Sequence, residues 1–82
     1  MDMKTKLQNE ILALDKALNE EPWDADLYLE RGKLYNKAGE MDKALNDFIK
    51  VRELSPDNEE AKEYIDMISE IFEYRYKDIY NP

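Results

Sequence analysis

Carboxylates are the most abundant groups in this sequence that could take part in chemistry. Twenty of the 82 residues are Asp or Glu, and four glutamates lie close together, at Glu59, Glu60, Glu63 and Glu70. Such groups can hold a cation weakly or exchange protons with a substrate. The sequence has no His and no Cys, so it offers no imidazole base, no thiolate nucleophile and none of the usual zinc ligands. Because no phosphate-binding or calcium-binding loop accompanies the carboxylates, we expect no enzyme, no cofactor and no metal site.

Charge and hydrophobicity limit the classes of partner. The 20 acidic and 12 basic residues give a formal net charge of -8, which repels phosphate backbones and anionic lipid headgroups. Hydrophobic residues make up 43% of the chain, enough to predict one small packed domain. No stretch approaches the roughly 18 apolar residues of a membrane span, and the N-terminal residues lack the apolar core of a signal peptide. We therefore expect an acidic, cytoplasmic protein that binds neither nucleic acid nor membranes.

Helix breakers divide the chain into four segments of helical character. The breakers are Pro22, Gly39 and Pro56, and they predict helices before residue 22, from about 25 to 38, from about 41 to 54 and from about 59 to 80. Apolar residues of the first segment recur at steps of three and four, as on one face of a helix: Met3, Leu7, Ile11, Leu14 and Leu18. No segment shows the alternation of a strand.

Polar residues before two of the segments predict helix caps. Asp24 precedes the second segment and is suited to be its N-cap. Asp57, with Glu60 three residues later, resembles a capping box at the start of the fourth segment.

The two glycines of the chain both lie near the centre of the sequence. Gly39 predicts a positive φ at a tight turn between the second and third helices. Gly32 falls within the second helix, where glycine costs about 1 kcal/mol relative to alanine. Close approach of the third helix, through Ala44 and Phe48, would offset that cost. We therefore expect Gly32→Leu to be the most damaging single substitution.

A repeat period of 34 residues separates Pro22 from Pro56. Between them the sequence resembles the tetratricopeptide repeat family, whose signature is W-x2-L-G-x2-Y, then A-x3-F, then P. The matching positions are Tyr28, Arg31, Gly32, Tyr35, Ala44, Phe48 and Pro56. Arg31 stands where the family has leucine. We interpret it as structural, with its aliphatic stem covering the apolar seam and its guanidinium reaching water.

The resemblance implies an all-α fold: a right-handed stack of antiparallel helix hairpins, with about four helices in one domain. Residues 1–24 would form a half repeat, its second helix only, with Glu10 where the family favours alanine. Residues 25–58 would form a full repeat. Residues 59–82 would form a capping helix, in which Asp66 and Ser69 replace the glycine and tyrosine of the signature.

The resemblance also implies a protein-binding groove. In this family the first helices of successive repeats line a concave surface that holds peptide segments of other proteins. The predicted partner-binding residues are Leu29, Lys33, Asn36, Lys37, Tyr64, Met67, Ile71 and Tyr74. Apolar members would act as anchors and Lys33 and Lys37 as selectors for an extended or helical peptide with some acidic residues. A clamp for C-terminal carboxylates is not expected, because Leu29, Lys33 and Tyr64 differ from the residues that such clamps use.

The fourth helix has an apolar sector wider than one packed face requires. Beside its core stripe it carries Tyr64, Met67, Ile71 and Tyr74, which together with that stripe span roughly 200° of the helix against a little over 100° for a packed surface helix. This width suggests a second contact surface. The other interpretation is that a small domain leaves some aromatic residues exposed, because more than half of any protein surface is apolar. The alternative to peptide binding is therefore a homodimer or scaffold unit that pairs through the C-terminal helix, with aromatic and apolar residues of the last turns exposed: Tyr74, Tyr76, Ile79 and Tyr80.

Overall fold

Four α-helices make up the fold. The computed structural model describes the backbone of residues 2–80 and the side chains of residues 2–73. The helices are α1 (Met3–Glu20), α2 (Ala25–Lys37), α3 (Met41–Leu54) and α4 (Glu59–Tyr80). No strand occurs within residues 2–80. The predicted all-α class is confirmed. The apolar face predicted for α1 is confirmed at Leu7, Ile11 and Leu18, which are buried, and is wrong at Met3, which is exposed.

The helices are stacked in chain order. The main contacts join α1 to α2, α2 to α3 and α3 to α4, and the α2–α3 contact is the most extensive. Because the connecting segments are only three or four residues long, consecutive helices run antiparallel, as in helix hairpins. The division into a half repeat, a full repeat and a cap stays a prediction.

A glycine turn ends α2 and reverses the chain. Gly39 has a φ of 80°, as predicted. The Glu40 N–H donates to the Tyr35 carbonyl at 2.9 Å, and the Gly39 N–H donates to the Asn36 carbonyl at 3.1 Å. This pair of hydrogen bonds is the Schellman motif, which satisfies carbonyls at the end of the helix. The motif sets where α3 begins and therefore which face of α3 packs against α2.

One of the two predicted N-caps is confirmed and the other is wrong. The Asp24 carboxylate accepts a hydrogen bond from the Asp26 N–H at 3.0 Å, so Asp24 caps α2. Asp57 does not cap α4. The helix begins at Glu59, so the N-cap position belongs to Asn58, whose side-chain oxygen accepts from the Ala61 N–H at 2.8 Å.

A close approach between α2 and α3 lies at the centre of the core. A Cβ atom built on Gly32 would lie 2.7 Å from Cε1 of Phe48, a distance that packed carbon atoms do not adopt. Phe48 is fully buried and its ring stacks on Tyr64 of α4, with ring centroids 4.5 Å apart. Ala44, Ile65 and other apolar residues surround this contact. The absent side chain at Gly32 therefore lets one aromatic ring hold three helices together.

Arg31 binds α1 and α3 to α2 through two carboxylates. Its Nε and Nη2 atoms donate to Asp47 at 2.8 and 2.7 Å, and its Nη1 donates to Asp15 at 2.8 Å. The predicted structural role fits this arrangement, in which the guanidinium binds two carboxylates. The side chain is 21% exposed and the guanidinium also lies 5.7 Å from the Tyr28 ring centre. The hydrogen bonds to Asp47, the largest contribution, raise the pKa of Arg31.

We expect Gly32→Ala to lower the free energy of unfolding by about 1–3 kcal/mol, although alanine is the better helix former. The new methyl group collides with a ring that other side chains hold in place. Gly32→Leu should cost more. Gly39→Ala is the control, because it strains the backbone but meets no atom within 4 Å. Denaturant unfolding measures all three, and an unchanged or raised stability of Gly32→Ala contradicts the close approach.

The carboxylates that bind Arg31 should differ in their contribution to stability. Asp47 is 5% exposed in its side chain and makes two hydrogen bonds, whereas Asp15 is 40% exposed and makes one. We expect Asp47→Ala to cost about 2–4 kcal/mol, because it leaves a half-buried guanidinium poorly paired. Asp15→Ala should cost less than about 1 kcal/mol. Equal losses in thermal or denaturant unfolding would show that the pairing is not organised in this way.

Candidate peptide-binding groove

A groove of about 590 Å³ lies between α1, α2 and α4. Its apolar surface comes from Ala13 and Leu14 of α1, Leu34 of α2 and Tyr64 of α4. A second cavity of about 350 Å³ shares Tyr64 and continues along α4 past Met67. The stacking of the helices thus forms a concave surface that three separate helices supply.

The structure brings together half of the predicted partner-binding residues in this groove. Lys33, Asn36, Lys37 and Tyr64 line it. Met67 is 39% exposed and lines the second cavity.

The remaining predicted residues are placed elsewhere. Leu29 is partly buried against the core cluster of Ala44 and Phe48 and does not line the groove. Ile71 is partly buried in α4. The side chains of Tyr74, Tyr76, Ile79 and Tyr80 lie outside the described residues.

Tyr64 is held rigidly where it lines the groove. Its ring is parallel to that of Phe48 within 9°, and the two centroids are 4.5 Å apart. Because Phe48 is fully buried between α2 and α3, the position of Tyr64 depends on the close approach at Gly32. A preordered aromatic surface can bind an apolar group without paying for the ordering of its own side chain.

Lys33, which was predicted as a polar selector, forms an ion pair at the groove. Its ammonium group forms an ion pair with Glu60, which joins α2 to α4 along the groove. The hydrogen bond from Lys33 to Glu60 raises the pKa of Lys33, and the nearby charges of Glu60, Tyr64 and Glu30 add to the shift. Lys37, in contrast, is exposed and forms no ion pair with any side chain among residues 2–73.

Asn36 carries an unsatisfied polar atom at the groove. Its side-chain oxygen is buried and accepts no hydrogen bond, and the residue is one of those that line the groove. A buried acceptor without a donor costs about 1–3 kcal/mol. A buried water molecule is one ordinary partner for such an acceptor.

One wall of the groove comes from α1, which the sequence prediction did not include. Glu10, Ala13 and Leu14 all line it. The sequence did single out Leu14 as apolar and Glu10 as unusual for its repeat position. What it lacked was how α1 packs against α2, where Arg31 also pairs with Asp15.

Sequence comparison finds a similar segment in a human protein, "Tetratricopeptide repeat protein 16". The two are 34% identical over 55 residues, which amount to 67% of this chain and 6% of the human protein. The chain thus resembles one small part of a helical repeat protein. No protein-family model matches it, and no solved structure matches it. The similarity agrees with the four stacked helices and with a protein-interaction module.

Metal sites and membrane-spanning helices are both absent from the described residues. No group of three or more His, Cys, Asp or Glu residues among them could hold a metal ion. No helix within the same residues is long and apolar enough to cross a membrane.

Asn36→Leu should raise the free energy of unfolding by about 1 kcal/mol. The substitution keeps the branched shape and the number of heavy atoms of the side chain, and it removes the acceptor that has no donor. Thermal and denaturant unfolding measure the gain. A loss of stability would mean that the Asn36 amide is satisfied in solution, and it would contradict the assignment of an unpaired acceptor at the groove.

Proposed function

We propose that this protein is a non-enzymatic interaction module whose groove binds a peptide segment of another protein. The observation that carries the proposal is a concave surface with apolar residues from three helices and polar groups among them. Its volume falls within the range of about 300–1,000 Å³ that is common for ligand sites. The similarity to part of a tetratricopeptide repeat protein supports a protein as the partner.

The chemistry of the groove favours binding over catalysis. Its side chains are aliphatic, aromatic, amide, carboxylate and ammonium groups. None of them forms a nucleophile–base pair of the kind that covalent catalysis uses. A net charge of -8 also favours protein partners over nucleic acids.

An elongated ligand fits the arrangement of the two cavities. The groove and the second cavity meet at Tyr64 and lie along α2 and α4. A peptide in an extended or helical conformation could place one apolar side chain near Leu14 and Leu34 and another near Met67. Tyr64 would contact the ligand between them.

Self-association through α4 is the alternative function, as a homodimer or scaffold unit. Met67 favours it, because 39% of this apolar residue is exposed on a helix of 22 residues, longer than α2 or α3. Light scattering over a range of concentrations separates the two functions. A dimer that peptide does not dissociate and that Met67→Glu converts to a monomer would favour the alternative.

Peptide binding is tested by selection from a random-peptide display library, with two variants as controls. Ala13→Phe adds bulk to an exposed residue that lines the groove, and Ser69→Phe adds the same ring to an exposed residue of α4 that does not line it. We expect enriched peptides to bind the wild type and Ser69→Phe alike and to bind Ala13→Phe at least about tenfold more weakly. Amide resonances of the wild type should shift on titration at Lys33, Asn36 and Tyr64.

Two results would contradict a binding groove. One is a selection that enriches no peptide above the background of the display system. The other is a set of peptides that bind Ala13→Phe as tightly as the wild type and shift resonances away from α2 and α4. Circular dichroism of both variants shows whether a loss of binding reflects unfolding.

A further inference from the structure

We propose that the groove selects a basic segment, in which lysine or arginine side chains alternate with apolar ones. This inference rests on the proposed peptide binding and adds the chemical class of the ligand. It reverses the sequence-based expectation of acidic residues in the partner, which treated Lys33 and Lys37 as free cations.

The balance of charge along the groove is negative. Glu10 and Glu30 line the main cavity, and Glu60 and Glu63 line the adjoining one, against two ammonium groups in all. One of these, on Lys33, is already engaged by Glu60. Neither Glu10 nor Glu30 nor Glu63 forms an ion pair within the described part of the chain. The unpaired charge along the groove is therefore mainly carboxylate.

Hydrogen bonding favours the same kind of ligand. Glu10, Glu30 and Glu63 are exposed where they line the two cavities, and carboxylates are acceptors at neutral pH. An ammonium group offers three donors and a guanidinium group five, and neither carries an acceptor. A basic side chain can replace water as the donor to these exposed carboxylates, whereas a carboxylate of the ligand would add acceptors to a surface already rich in them.

The apolar surface of the groove suits the stem of such a side chain. Leu14, Leu34 and Tyr64 lie among the charged groups. Lysine and arginine pack their methylene groups on apolar surface while their charged ends reach polar groups. The net charge of -8 adds long-range attraction for a cationic ligand. This general attraction is not specific for the groove, so the test must separate the two effects.

Three synthetic peptides serve as probes. They share the same Leu and Ser residues and differ in carrying Lys, Gln or Glu at the remaining positions. We expect the Lys peptide to bind the wild type about tenfold more tightly than the Gln peptide, and the Glu peptide to bind most weakly. Fluorescence anisotropy gives the dissociation constants, and amide shifts locate the bound peptide.

A matched pair of double variants separates the groove from the overall charge. Glu10→Gln/Glu30→Gln removes two carboxylates that line the groove, and Glu20→Gln/Asp66→Asn removes two exposed carboxylates that do not. Both changes leave the same net charge. We expect the groove pair to reduce the preference for Lys over Gln to less than about threefold and the distant pair to keep most of it.

Any of three other outcomes would overturn the inference. Equal loss in both double variants shows a diffuse effect of net charge. Equal binding of the Lys and Gln peptides to the groove removes the charge preference and leaves the proposed function intact. If none of the three peptides shifts groove resonances and the library selection also enriches nothing, the proposed function fails together with the inference.

Discussion

The contact between Gly32 and Phe48 is the constraint on which the rest of the structure depends. The ring of Phe48 occupies space that a Cβ on Gly32 would fill, so α2 and α3 can approach more closely than two ordinary helices. Tyr64 stacks on the same ring, and the position of α4 follows from it. A glycine that weakens α2 as an isolated helix therefore strengthens the three-helix packing.

α2 contributes residues to both the core and the groove. Gly32 packs inward, and Arg31 reaches Asp15 of α1 and Asp47 of α3. Lys33 pairs with Glu60 of α4 beside the groove. The helix is thus joined by side-chain interactions to every other helix of the fold. Because the groove walls belong to α1, α2 and α4, the interactions that stabilise the fold also set the width of the candidate binding site.

Features that depend on local backbone chemistry could be predicted from the sequence. Gly39 at a left-handed turn and Asp24 as an N-cap follow from residue type and position. The cap of α4 was missed because Asp57 and Asn58 are adjacent and both suit the role, so a shift of one residue decides between them. The close approach at Gly32 was predictable because a glycine within a helix requires a compensating contact.

Features that depend on how helices pack against one another could be predicted only in part. The register of the repeat pattern placed Lys33, Asn36, Lys37 and Tyr64 at one surface, and the groove contains all four. The pattern carries no information on side-chain pairing between helices. It therefore missed the Lys33–Glu60 ion pair, which engages one of the two ammonium groups at the groove. It also missed the wall that α1 provides.

The most direct measurement is a nuclear Overhauser spectrum of the folded protein at the rings of Phe48 and Tyr64. The central claim predicts strong cross-peaks from the Gly32 Hα protons to the Phe48 ring, and from that ring to the Tyr64 ring, because the three groups are in successive contact. Assigned resonances for all three residues without these cross-peaks would contradict the packing, and with it the groove that the packing positions.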